Sequence, residues 1–177
     1  MSLEVVGNTI NGLKGAGFIK NKEDFTSAPS RWTESGDTPT YGASGATVAE
    51  GDEVTWTYDT AITNFFSASF TGSTGNSSGK KTTLKLTLGS ETKELDITGA
   101  TTNEVEGGGS IIATRIENVW YYIISGATSI NGGSGSRIAT LGTFTVTGPQ
   151  IPKVAVKVET AAGVITMAGL LTRVMYS

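Results

Sequence analysis

Neither histidine nor cysteine occurs among the 177 residues. Histidine is the commonest general acid and base and a leading metal ligand, and cysteine is the strongest protein nucleophile. Their joint absence excludes Ser-His-Asp and Cys-His catalysis, zinc sites of the usual ligands, thiol redox chemistry and disulfides. Proline is scarce, at four residues, and charged residues make up only 16%. No apolar run reaches the roughly 18 residues that a membrane-spanning helix needs, so no membrane insertion is expected. A net charge of −3, with Lys80-Lys81 the only adjacent basic pair, lacks the basic field that phosphate backbones require. Nucleic acid is therefore not an expected partner. The first twenty residues carry no cationic start followed by an apolar stretch, so no signal peptide is expected and synthesis is placed in the cytoplasm.

What the chain has instead is glycine, serine and threonine, which together supply well over a third of it. Threonine suits strands, while glycine and serine suit turns. So polar a composition, with 37% hydrophobic residues, raises disorder as an alternative. Dense runs of alternating apolar residues and the small net charge argue against it. The length fits one domain that buries about two thirds of its unfolded surface. Within it, residues 1–45 stand apart as a loop-rich N-terminal segment or docking arm, rich in glycine and poor in apolar residues. Val5, Ile10, Leu13, Phe18 and Ile19 are its candidate partner-binding positions. Residues 46–177 read as the β-domain.

From Val48 onward the period is two. Val54, Trp56 and Tyr58 alternate with threonines, and Phe66, Ala68 and Phe70 alternate with serines. Leu84, Leu86 and Leu88 share one face, with Thr83, Lys85 and Thr87 on the other. Gly89-Ser90 then supplies a two-residue turn of type II′ and Leu95 and Ile97 return, giving a hairpin over residues 82–98. Gly107-Gly108-Gly109-Ser110 reads as a break. The run Val119 to Ile124 is continuously apolar, as in a strand covered on both faces or contacting another chain. About eight to ten strands and no convincing helix emerge. The expected fold class is all-β: an antiparallel β-sandwich, jelly-roll-like, with a Gly-rich N-terminal arm.

Residues that carry chemistry are few. Gly75 to Thr82 resembles a phosphate loop but has Thr74 where the motif needs glycine, Lys81 where it needs Ser or Thr, and a strand where it needs a helix. Asn76-Ser77-Ser78 matches a glycosylation sequon and is read as accidental. Asp52, Glu53, Asp59, Glu91, Glu94, Asp96, Glu104 and Glu106 offer carboxylates for a glycosidase pair or an oxygen-ligated calcium site, but no spacing brings two together. No catalytic, metal-binding or cofactor-binding residue is expected. The aromatic residues Trp32, Trp120, Tyr121 and Tyr122 are candidate interface or glycan contacts. Because Trp120, Tyr121 and Tyr122 are consecutive, at least one must face away from the others.

The leaderless, cysteine-free format, the Gly-rich start, the Thr/Ser-rich strands and the ending Met175-Tyr176-Ser177 resemble the small β-sandwich proteins of bacteriophage heads, tails and fibres. A closing hairpin over Val154 to Arg173, with Ala162-Gly163-Val164 and Gly169-Leu170-Leu171, adds to the resemblance. It implies a non-enzymatic virion component, such as a capsid decoration protein. Such a component would self-associate as a homotrimer and bind the major capsid protein or another virion protein through its N-terminal part. The alternative is a carbohydrate-binding, lectin-like β-sandwich module in which an exposed Trp32 or Tyr121 controls affinity.

Overall fold

The structure is a computed structural model that describes residues 4–6, 9–11, 17–74, 81–98, 105–130, 136–159 and 165–176. Every regular element among them is a strand. In chain order these are β1 (Glu4–Val6), β2 (Thr9–Asn11), β3 (Gly17–Glu23), β4 (Trp32–Gly36), β5 (Thr40–Gly42), β6 (Gly45–Val48), β7 (Glu53–Tyr58) and β8 (Phe65–Thr74). They continue as β9 (Lys81–Leu88), β10 (Glu91–Thr98), β11 (Val105–Ile116), β12 (Val119–Ile130), β13 (Ser136–Phe144), β14 (Pro152–Val158) and β15 (Ile165–Tyr176).

Two antiparallel sheets form a sandwich. The front sheet runs β10-β9-β14-β7-β4, and the back sheet runs β13-β12-β11-β8-β15-β6-β5, with β3 also on β15. The chain crosses between sheets repeatedly, which is what lets distant segments pair. Alternation dictates the core. Val54, Trp56 and Tyr58 of β7, Leu84, Leu86 and Leu88 of β9, and Val154, Val156 and Val158 of β14 point inward from the front sheet. Phe66 and Ala68 of β8, Ile111 and Ala113 of β11, and Trp120 and Ile124 of β12 meet them from the back. At one end the rings gather: Trp32 lies 5.0 Å from Tyr58 and 6.1 Å from Phe66, and Phe25 lies 5.6 Å from Trp56. Burying a side chain of this size contributes about 2–3 kcal/mol.

The hairpin over residues 82–98 forms as the alternation predicts. Gly89 takes φ +60° and Ser90 is not in the left-handed region, the pattern of a type II′ turn. Three sequence expectations fare differently. Gly107 to Ser110 does not break the chain but lies inside β11, paired on both sides, with β12 and β8. The physical reason is close approach of the sheets. A Cβ on Gly109 would stand 2.5 Å from Leu84 Cδ1, and one on Gly126, its partner on β12, 2.5 Å from Ile97 Cδ1. Val154 to Arg173 is not a hairpin, because β14 pairs in the front sheet and β15 in the back. The number of strands is also higher than expected, since segments of three or four residues such as β5 and β6 pair without leaving a periodic signal.

The segment expected to be a loop-rich edge or docking arm divides. β1 and β2 make a ladder of their own, with Val5 opposite Ile10. Phe18 and Ile19 sit in β3, where their backbones pair with Met175 and Val174 of β15. Leu13 lies outside the described residues. Farther on, β4 forms an edge of the front sheet and β5 an end of the back sheet, so residues 17–45 are stitched into both layers.

Gly36 fixes the join between β4 and β7. It adopts φ +88°, and a Cβ there would lie 2.4 Å from the Glu53 carbonyl oxygen, which cannot move without opening the ladder. Gly36→Ala should therefore destabilise the protein by about 3 kcal/mol, combining left-handed strain with a backbone clash. Gly126→Ala meets side-chain rather than backbone atoms, Ile97 Cδ1 and Cγ1, and should cost less, about 1–2 kcal/mol. Denaturant unfolding of the two variants checks the order.

Candidate functional site

Directly opposed residues of antiparallel strands point to the same face, so the outward positions of the front sheet line up in rows across four strands. Glu53 of β7, Lys157 of β14, Thr83 of β9 and Asp96 of β10 make one row. Thr55, Ala155, Lys85 and Glu94 make the next, and Thr57, Lys153, Thr87 and Thr92 the third. The sequence places only two of these strands side by side, through the Gly89-Ser90 turn. Their union with β14 and β7 is tertiary.

A cleft of about 310 Å³ opens on this face. Its floor includes Thr83, which is 6% exposed, and the neighbouring Ala155 is buried as well beneath the long charged side chains. Lys85, Lys157, Glu94 and Asp96 stand around it, and Lys81, Glu159 and Gly51 close one end. The Lys81 backbone N–H donates to Glu159 Oε2 at 3.0 Å, and the Glu159 N–H donates to the Lys81 carbonyl at 3.1 Å. Gly51 is held by its N–H on the Val158 carbonyl at 3.0 Å. Among the described residues, no aromatic side chain lines the cleft.

The charges are arranged in pairs. Lys85 Nζ donates to both carboxylate oxygens of Glu53, at 2.8 and 2.9 Å, and Lys157 Nζ lies 4.0 Å from the same carboxylate. Glu53 is itself anchored, its N–H donating to Asp37 Oδ2 at 2.8 Å while its carbonyl accepts from the Asp37 N–H. Asp96 accepts from Lys81 Nζ at 2.8 Å and from Thr83 Oγ1 at 2.6 Å. The hydrogen bond from Lys81, and then that from Thr83, hold the Asp96 carboxyl below the ordinary aspartate range. The same bond raises the Lys81 ammonium. Asp96 thus stays ionised as an acceptor, whereas a general acid needs its pKa raised toward neutrality. Glu53, Glu94 and Asp96 offer acceptors and Lys81, Lys85 and Lys157 donors, all mounted on rigid strands. That array can hydrogen-bond a hydroxyl-rich surface, since a hydroxyl both donates and accepts.

None of the aromatic candidates lies in this cleft. Trp32 and Trp120 are buried between the sheets, and Trp120 Nε1 donates to the Gly148 carbonyl at 2.9 Å, so neither presents a face to a ligand. Tyr122 is half-buried, its ring edge-on to Phe144 at 5.2 Å. Tyr121 alone of the four is exposed, at 43%, and it sits on the outer face of the back sheet. The consecutive aromatics do split between two faces, as a strand requires. The residues of the cleft were visible in the sequence only as the polar half of each alternating strand. Nothing local distinguishes them from ordinary solvated positions. Residues 75–80, with the loop that resembles a phosphate site and the sequon, lie outside the described residues, as does Glu104.

No protein-family model matches the sequence, and no curated protein matches it. Solved structures do. Lectin II from Ulex europaeus superimposes with a TM-score of 0.59 at 10% identity, over 90% of this chain and 99% of that one. The seed lectin of Lotus tetragonolobus gives 0.57 at 8% identity, over 90% and 100%. Lectin UEA-II complexed with galactose gives 0.55 at 10% identity, over 90% and 99%. At these identities the likeness shows a shared β-sandwich fold.

The ion pairs of this face and the Arg31–Asp59 pair set the acid limit. Arg31 donates to both Asp59 oxygens at 2.9 Å and holds that carboxyl below its ordinary value of 3.8. A carboxyl depressed in the folded state contributes stability that is complete above the unfolded value and is lost as pH falls through the folded one. Stability should thus be level from neutrality down to about pH 4 and decline below it. Both carboxylates are 42% exposed, so each contributes less than about 1 kcal/mol after solvent screening. Urea midpoints measured against pH should show Asp96→Asn and Asp59→Asn each flattening part of the acid decline.

Proposed function

We propose that this protein is a non-enzymatic carbohydrate-binding β-sandwich that takes a neutral saccharide on the outer face of its front sheet. The observation that carries the reading is the cleft over Thr83, where the lysine donors of β9 and β14 stand beside the carboxylate acceptors of β10. Sugar hydroxyls can bridge such pairs without a net charge of their own, and a rigid sheet limits the ordering cost of binding. The superposition on lectins supports the reading, one of them in complex with galactose. With no aromatic platform among the described residues of the cleft, recognition there rests on hydrogen bonds, and affinity is correspondingly modest.

A virion role is the second reading, resting on the sequence format described above. The apolar outer face of the β8 to β13 half of the back sheet favours it, because cementing a shell depends on subunit contacts.

Glycan-array screening followed by calorimetry tests the first reading. Lys157→Ala and Glu94→Gln, both exposed, should each weaken binding about 5- to 30-fold, the loss of one or two hydrogen bonds to a charged group. Their melting temperatures should stay within a degree or two of the parent. Tyr121→Ala, on the opposite sheet, should bind as the parent does. Binding that survives both cleft substitutions, or a broad saccharide panel with no response, would overturn the assignment.

A further inference from the structure

On the β8 to β13 half of the back sheet the outer face is as apolar as the front face is charged. Outward rows cross β8, β11, β12 and β13 in register: Ile116 beside Val119, then Phe65, Thr114, Tyr121 and Thr143, then Ser67, Ile112, Ile123 and Leu141. A last row of Ser69, Ser110, Ser125 and Ala139 follows, with the Ser110 and Ser125 hydroxyls 2.7 Å apart. Apart from the Tyr121 phenol, no residue of these four rows carries an ionisable side chain. Ile116 is 60% exposed, Leu141 75% and Ile123 45%. Scaled by typical side-chain areas, the apolar members present on the order of 500 Å², near the upper end of what a monomer tolerates as one patch.

The geometry points to a second copy of this chain as the occupant of this face, packed sheet on sheet about a two-fold axis near Tyr121. Three observations favour a copy over another partner. With its flanking threonines and serines the patch approaches about 800 Å² per side, the area of a standard stable interface. A patch without charge asks for a partner without charge, and these four rows across β8, β11, β12 and β13 are themselves such a surface. Its layout also suits a two-fold. Ile116 and Val119 lie on one side of Tyr121, and Ile123 and Leu141 on the other. A rotation about Tyr121 therefore sets the Ile123–Leu141 ridge of one protomer against Ile116–Val119 of its partner, the self-matching arrangement of an isologous contact. Side chains of facing sheets interdigitate at a spacing of about 10 Å, which Leu141 is long enough to bridge. The assignment does not depend on what the front face binds.

The absence of cysteine makes the test clean. Size-exclusion chromatography with light scattering at micromolar concentration should give twice 18.3 kDa for the parent. Ile123→Lys with Leu141→Lys should weaken association at least about 100-fold and elute as a monomer. These side chains are exposed in the single chain, so circular dichroism and melting temperature should be unchanged. Tyr121→Cys, the sole thiol, should cross-link to a covalent dimer on mild oxidation, visible on a non-reducing gel. A monomeric parent, a trimer, or a dimer that persists in the double lysine variant would overturn the proposal. Binding of a monomeric parent to neutral lipid vesicles, lost in the lysine variant, would do so as well and assign the face to a membrane surface.

Discussion

Leu84 and Ile97 project from the front sheet into positions on the back sheet where Gly109 and Gly126 leave no side chain. That contact sets how closely the two layers approach on the β9–β10 side, and the rest of the sandwich is adjusted to it. At the other side the layers are held apart by rings, with Trp32, Tyr58 and Phe66 between them. Small residues at one edge and large ones at the other give the interior its taper. The face each residue takes is then no longer free. A slip of one residue in β9 would turn Leu84, Leu86 and Leu88 out to solvent and bury Lys85, at a cost of several kcal/mol. Burial of one face therefore fixes the register of the other.

This is how a core made only for packing creates a polar surface of defined geometry. Once Leu84 and Leu86 face inward, Thr83 and Lys85 must face outward. Because β14 lies between β9 and β7, Lys157 falls between Thr83 and Glu53. The ion pairs that result are individually weak at such exposure. Their effect is positional: Glu53 holds Lys85, and Lys81 and Thr83 hold Asp96, so the groups around the cleft are held in place by one another. The ends of the sandwich are tied in a similar way. Glu91 accepts from the backbone and hydroxyl of Thr145, which fastens the β9–β10 turn to the segment following β13.

The two outer faces differ in kind, and the difference has one origin. On the front sheet the outward positions are Lys, Glu, Asp and Thr. On the β8 to β13 half of the back sheet they are Ile, Val, Tyr, Leu and Ser. A continuous apolar run such as Val119 to Ile124 supplies side chains for both faces at once. Trp120, Tyr122 and Ile124 turn inward, while Val119, Tyr121 and Ile123 are left exposed. Such a strand is costly in water unless something covers it. The sequence carried this signal plainly, and the structure supplies its direction.

The alternation of apolar and polar residues is a local property, and it determined the all-β class, the β9–β10 hairpin with its Gly89 turn, and which half of each strand belongs to the core. The missing histidine and cysteine likewise determined which chemistries are closed to the protein. Tertiary structure decided everything that depends on which strands become neighbours. It put Trp32 and Trp120 inside rather than on a binding surface. It drew Phe18 and Ile19 into a ladder with β15. It kept the Gly107 to Ser110 run within a strand, where Leu84 arriving from the opposite sheet fills the space that Gly109 leaves. It also assembled the cleft from residues 51 to 159, whose sequence separation gives no hint of contact. A strand's period is encoded within a few residues, but strand order is chosen by long-range pairing, through the fit of one buried face against another.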